Sequence, residues 1–279
     1  MRTLRLMLWI LSRLSPGLAG AWALRLFTTP PRFPMNPQET SLHDRTHPEM
    51  QMIAGRKIAV RPWGNGPTVL FSHGWGGQGV HFHALIECLV NAGYQAVCFD
   101  APAHGDSPGK RTQLLEISSV LARLAQSLGP IHALVGHSFG CATALLAMSR
   151  RELTVERVIL FACFDDIEWI TGRFATIFGL NETVRRAMME QAHRRYPTHA
   201  GEAWEWQQLS PLSSIRRFDG SLLLVHDRDD REVPYEHALK LSETQPRAKL
   251  LTTRGLGHKR ILSDPDTVQD CIAFIRRDV

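Results

Sequence analysis

A chain of 279 residues, 44 % hydrophobic and 21 % charged, has the size and composition of a globular enzyme with one large α/β domain or two small ones, which excludes a disordered or fibrous protein. Its net charge of +5 is uneven, because Arg2, Arg5, Arg13, Arg25 and Arg32 all precede Glu39, the first acidic residue. The remainder is charge-balanced and lacks a basic stripe with interleaved aromatics, so no nucleic-acid partner is expected.

Residues 1–27 read as two helices. Leu4, Leu8, Leu11 and Leu14 recur at helical spacing, with Arg2, Arg5 and Ser12 mostly off that stripe. Ser15 then caps a second helix that has Pro16 at its first position and runs through Phe27. The uncharged stretches are too short to span a bilayer. Two readings are favoured: an interfacial amphipathic segment anchored by Trp9 and Trp22, giving peripheral membrane contact, or a helical pair packed on the body or covering its entrance. A signal peptide is disfavoured because Arg13 interrupts the apolar core. Pro30, Pro31, Pro34 and Pro37 mark an extended linker, so residues 1–37 are set apart as arm and linker and 38–279 as the main domain.

From about Arg56 the pattern settles into alternating strands and helices. Strands are predicted over 57–61, 68–72, 94–99, 131–135, 158–163, 221–225 and 249–252, and helices over 81–92 and 112–128. This alternation predicts an α/β fold with a mostly parallel central sheet and helices on both faces, whose active site forms beyond the carboxyl ends of the strands. Cys88, Cys98, Cys141, Cys163 and Cys271 are scattered and form no Cys-x-x-Cys pair. That usage points to free thiols in a reducing, cytoplasmic compartment. No metal or cofactor is expected; the pair His81 and His83 stands alone and is taken as ordinary.

The chemistry gathers at the strand ends. Gly136-His137-Ser138-Phe139-Gly140 follows an apolar strand and precedes a helix of small residues, the arrangement of a nucleophile elbow, with Ser138 as nucleophile. A serine hydroxyl needs an adjacent base, itself oriented by an acid. His258 follows the last strand behind Gly255-Leu256-Gly257 and is assigned as the base. After the strand ending at Val225 stand Asp227, Asp229 and Asp230; Asp230 is favoured as the acid, three residues before Val233-Pro234, with Asp229 as the alternative. His73-Gly74-Trp75-Gly76-Gly77 follows another strand, so the backbone amides of Trp75 and Phe139 are assigned as oxyanion donors.

These ordered features, together with Asp100-Ala101-Pro102-Ala103-His104-Gly105-Asp106-Ser107, resemble the α/β-hydrolase superfamily over roughly residues 56–277. Ala103 stands where that family usually has glycine, and Asp227 where glycine is common. The resemblance implies a helical cap at about 164–216. There Ile167, Trp169, Ile170, Phe174, Ile177 and Phe178, a charged helix 182–195, and Trp204 and Trp206 follow one another. Phe174 and Trp206 are expected in an acyl pocket. The expected activity is cofactor-independent serine hydrolysis of a small-molecule ester with a small to medium acyl group. Thioester hydrolysis, acyl transfer, carbon–carbon hydrolysis and a non-catalytic binding protein on the same fold are the alternatives.

Overall fold

The computed structural model describes residues 2–196 and 205–276. Its helices are α1 (Arg2–Leu14), α2 (Pro16–Phe27), α3 (Pro37–Asp44), α4 (His83–Asn91), α5 (Leu114–Leu128), α6 (Phe139–Ser149), α7 (Ile167–Phe178), α8 (Glu182–Arg195), α9 (Pro211–Ile215), α10 (Glu236–Thr244), α11 (Gly257–Arg260) and α12 (Pro265–Arg276). Between them run β1 (Glu49–Ile53), β2 (Arg56–Trp63), β3 (Thr68–Ser72), β4 (Gln95–Asp100), β5 (Ile131–His137), β6 (Arg157–Phe161), β7 (Ser221–Asp227) and β8 (Lys249–Thr253).

The strands form one sheet in the order β1-β2-β4-β3-β5-β6-β7-β8. β1 pairs antiparallel with β2, and β2 with β4; the other pairings are parallel. β3 and β6 are buried end to end, which is why they read as unbroken apolar runs rather than alternating ones. Pleating sends Leu70 into one core with Ile117, Leu121 and Leu124 of α5 and Ala144 of α6. Its neighbours Val69 and Phe71 enter the opposite core with Leu85 and Leu89 of α4 and Ile272 of α12. Helices therefore cover both faces. The chain leaves β3 for β4 on one side and crosses to β5 on the other, so the sheet's switch point lies between β3 and β5, where an α/β sheet opens a crevice at its carboxyl edge.

β1 and α3 are among the elements that had no sequence signal strong enough to be expected. β1 joins β2 through Ala54-Gly55, whose φ values of 48° and 74° fit a type I′ hairpin turn; alanine in place of the usual Asn or Asp hides it. α3 starts at Pro37 behind Asn36, whose side chain and Glu39 form a reciprocal capping box. Pro37 thus opens a helix rather than closing a linker. The preceding proline segment lies against the body, with Arg32 Nη1 donating to Gly105 O at 2.9 Å and the Lys259 ammonium 4.8 Å from the Phe33 ring.

α2 crosses α8 closely because Ala19, Gly20 and Ala23 offer no bulk. A Cβ on Gly20 would stand 2.8 Å from Ala187 Cβ, and Leu24 packs with Val184, Met188 and Met189. The stripe expected on α1 is only partly packed. Leu8 is buried and Leu4 half-buried, whereas Leu14 is 78 % exposed, because the arm turns into α2 at Ser15. Between β6 and β7 the insertion comprises α7, α8, a 3₁₀ turn at Trp206–Leu209 and α9; Trp204 lies outside the described residues. Cys98, Cys141, Cys163 and Cys271 are buried and Cys88 is half-buried, all as free thiols. No helix among the described residues is long and apolar enough to cross a membrane.

Candidate active site

β5 runs two residues further than expected, to His137, and the chain turns at once into α6. Ser138 sits in that turn with φ 52° and ψ −115°, a positive-φ backbone that a serine adopts only where its surroundings hold it. Its N–H donates to Phe161 O at 2.9 Å, tying the elbow to the neighbouring strand. The flanking glycines are needed for space: a Cβ on Gly140 would lie 2.0 Å from Ser72 O, and one on Gly136 3.0 Å from Cys141 Cα.

Asp230 and His258 meet. His258 Nδ1 lies 2.7 Å from Asp230 Oδ2, both side chains buried, and Asp230 Oδ1 accepts the N–H groups of Glu232 at 2.8 Å and Val233 at 2.9 Å. Burial works against ionisation of the Asp230 carboxyl, but His258 and those two amides outweigh it and hold its pKa below the usual aspartate value. A carboxylate at that position accepts, so His258 carries its proton on Nδ1 and keeps a lone pair on Nε2. Asp229 is elsewhere: its Oδ2 takes the N–H of Gly255 at 2.9 Å at an exposed edge.

Ser138 and His258 are neighbours through His137. The His137 ring lies 4.7 Å from the His258 ring, and its Nε2 donates to His258 O at 3.0 Å. Burial, and then the proximity of His258, push the His137 pKa far down, so it is a neutral prop beneath the imidazole. No hydrogen bond joins Ser138 Oγ to His258 among the described residues. The exposed Glu232 carboxylate lies 4.0 Å from His258 Nε2.

The amides of Trp75 and Phe139 donate to no other group among the described residues, and their rings meet edge to face at 5.1 Å. Their loop is anchored by His73, whose Nε2 accepts the Ala101 N–H at 2.9 Å while Nδ1 donates to Gly74 O at 2.8 Å. Burial pushes the His73 pKa down to about 4, which keeps that acceptor nitrogen unprotonated. Asp100 knits the same loops, accepting the N–H groups of Gly79 and Asp106, both at 2.9 Å, and pairing with Arg61 at 3.2 Å. Ala103 adopts φ 66°, the physical reason glycine suits that position.

Sequence reasoning missed what Asp227 does. Its buried carboxylate accepts Thr253 Oγ1 at 2.7 Å, Leu256 N at 3.0 Å and Asp229 N at 2.9 Å, fixing the loop that delivers His258. Burial opposes its charge, yet these donors hold its pKa below the usual value. His226 was missed too: its Nε2 donates to Val233 O at 2.9 Å and steadies the Asp230 turn. A polar residue at a carboxyl strand end was the available signal in both cases.

Ser138, Trp75 and Phe139 line an apolar cavity of about 580 Å³. Phe174 and Trp206 line it as well, as do Ile170, Ile177 and Leu209 from the insertion. So do Leu4, Leu24, Phe27 and Pro31, from the segment the sequence sets apart from the main domain. Phe27 meets Phe174 edge to face at 5.1 Å, so arm and insertion close the cavity together. Among the described residues no group of three or more His, Cys, Asp or Glu could hold a metal ion.

Comparison with known proteins agrees with this fold. The mouse sn-1-specific diacylglycerol lipase ABHD11 is 36 % identical over 97 residues, 34 % of this chain and 32 % of its own length. A non-heme chloroperoxidase of Streptomyces lividans is 23 % identical over 273 residues, covering 80 % of this chain and 97 % of the relative. This chain thus spans about a third of the first relative and nearly all of the second. Among solved structures, a bacterial membrane phospholipase A superposes with a TM-score of 0.64 at 18 % identity, over 86 % of this chain and 92 % of that one, a likeness of fold. Residues 69–270, more than half of the chain, match the alpha/beta hydrolase family, and the chain belongs to that family of hydrolases.

Proposed function

We propose that this protein is a serine hydrolase that cleaves carboxylic esters through an acyl-enzyme, with the acyl group held in the apolar cavity. The observation that carries the reading is Ser138 on a strained elbow in the wall of that cavity, one residue from the His137 prop of a buried Asp230–His258 pair. Ser138 Oγ attacks the ester carbonyl carbon as His258 Nε2 takes its proton. The oxyanion is received by the amides of Trp75 and Phe139, each such donor contributing about 3 kcal/mol to the transition state. The carbon–oxygen bond to the alcohol breaks and His258 returns the proton to the departing oxygen. Water then attacks acyl-Ser138 with His258 again as base, releasing the carboxylic acid and restoring the serine. Asp230 stays ionised throughout and stabilises the imidazolium. Phe174 and Trp206 are assigned to the acyl pocket, and the lining is mostly aliphatic and aromatic, with Thr28, Thr29, Thr112, Gln113, Arg173 and Tyr196 as its polar residues besides Ser138, which favours an aliphatic acyl chain. The diacylglycerol lipase named above is compatible with that preference.

A fluorophosphonate probe tests the reading. Wild type is expected to gain one adduct, mapped to Ser138 by peptide mass, and Ser138→Ala to gain none while keeping its circular dichroism spectrum. A panel of ester, thioester and diketone substrates then ranks the bond cleaved. A folded wild-type protein that takes no adduct and turns over no ester overturns the proposal.

A further inference from the structure

The arm has a second apolar face that none of the described residues covers. Leu4, Leu8 and Leu11 of α1 turn inward, while Leu6, Ile10 and Leu14, four residues apart, and Met7 beside them form an outer stripe that is 46–78 % exposed. α2 continues it with Leu18 and Trp22, both more than half exposed. An exposed apolar stripe along two consecutive helices is far from the scattered single residues of an ordinary surface.

The charges around the stripe indicate what covers it. Arg2 and Arg13 flank it on α1, Arg25 stands beside Trp22 on the outer face of α2, and no acidic residue occurs before Glu39. The Arg13 guanidinium lies 5.3 Å from the Trp9 ring, and Trp9 is itself half exposed at the polar margin. Apolar stripe, aromatic margin and unopposed arginines form the surface that an anionic lipid interface complements. The cavity comes up against the arm from inside: Leu4, on the inner side of α1, lines it, and Ile177, another lining residue on α7 beside the arm, is 45 % exposed.

We propose that the outer face of α1 and α2 is a docking surface for a bilayer containing anionic phospholipid. We further propose that the cavity takes its acyl ester from that bilayer, past Leu4 and Ile177. The second statement rests on the serine-hydrolase reading; the first does not.

The test is co-sedimentation of the full chain with vesicles of phosphatidylcholine alone and of phosphatidylcholine with phosphatidylglycerol in equal parts. The variants are Leu6→Ser/Ile10→Ser/Leu14→Ser and Arg2→Gln/Arg13→Gln. Fluorophosphonate labelling and turnover of a water-soluble ester run in parallel, since none of these positions lines the cavity. Wild type is expected to pellet with the anionic vesicles. Its partition should fall at least about tenfold in the triple-serine variant and weaken in the arginine variant and in high salt, with labelling unchanged. Loss of turnover on vesicle-borne ester alone then supports delivery from the bilayer. Wild type that labels but stays in the supernatant with both vesicles overturns the docking proposal and leaves the hydrolase reading intact. Sedimentation with no labelling overturns delivery and leaves docking standing. A dimer in light scattering that the triple-serine variant dissolves, without vesicle binding, overturns docking and makes the stripe a contact between copies.

Discussion

Replacing Asp230 separates its role from that of its neighbours, provided the substitution is chosen for its hydrogen bonds. The carboxylate accepts from His258 Nδ1 at 2.7 Å, Glu232 N at 2.8 Å and Val233 N at 2.9 Å. A charged acceptor contributes about 1.5–3 kcal/mol per bond, and Asp230→Ala would strand buried donors on Val233 and His258. A loss of about 3–6 kcal/mol follows, a large part of a domain's margin, and an inactive alanine variant would be ambiguous. Asp230→Asn keeps the shape and lets Oδ1 go on accepting both amides. Its NH₂, however, faces His258 Nδ1, and two donors cannot bond. The imidazole must move its proton to Nε2, which removes the lone pair that takes the Ser138 proton.

Asp230→Asn is therefore expected to stay folded, while kcat/KM on a soluble ester falls by about 10³–10⁴ and fluorophosphonate labelling slows in step. Asp229→Asn, altered only at an exposed contact to Gly255, should keep activity within about twofold. The pH dependence has a definite sign. The folded pKa of Asp230 is depressed, so its stabilisation is complete above the unfolded value of about 4 and is lost as pH falls through the lower folded value. Denaturant unfolding from neutral pH down into acid should show that limb in wild type and a shallower one in Asp230→Asn. An Asp230→Asn enzyme that keeps a tenth or more of wild-type turnover, or an Asp229→Asn enzyme that loses more, would refute the reasoning.

Gly140→Ala puts a Cβ 2.0 Å from Ser72 O, and because that neighbour is strand backbone the expected loss is about 3 kcal/mol or more, read by denaturant unfolding. Asp227→Ala removes the acceptor of three hydrogen bonds that hold the His258 loop. It should cost about 2–4 kcal/mol of stability and lower kcat more than it raises KM, with Asp227→Asn recovering part of both. Phe174→Ala opens the cavity wall where that ring meets Phe27, at about 2 kcal/mol of stability, and should move preference toward longer acyl chains in an ester series; an unchanged chain-length profile removes Phe174 from the pocket. Gly20→Val would drive a side chain into the Ala187 backbone and is expected to lift α2 off α8, measured as faster proteolysis within residues 16–37.

Local order makes much of this protein legible in its residues. Strands buried on both faces write themselves as apolar runs, so most of the parallel part of the sheet, from β3 to β7, could be read this way. An elbow demands glycine where a strand and a helix nearly touch, so Ser138 was marked by its neighbours rather than by its own chemistry. β1 and α3 escaped because their signals are weak: one depends on an alanine at positive φ, the other is a short polar helix held by its cap. The choice of Asp230 over Asp229 rested on spacing, and what separates them physically is that Asp230 alone turns inward to His258.

What the residues themselves determined is which groups stand at which strand ends, because backbone sterics and the two-residue and 3.6-residue periods are local properties of the chain. What only the tertiary structure decided is which of those ends meet. The sheet crosses over between β3 and β5, bringing the His73–Gly77 loop beside Ser138. Asp227 and His137, polar residues at strand ends whose partners lie far along the chain, prop the His258 loop. The arm, which its composition and prolines set apart, becomes a wall of the cavity that Ser138 lines, because Ala19, Gly20 and Ala23 let α2 close on α8. Burying those small faces against the insertion holds the first helices over Ser138, and no periodicity within residues 1–27 could have named that partner.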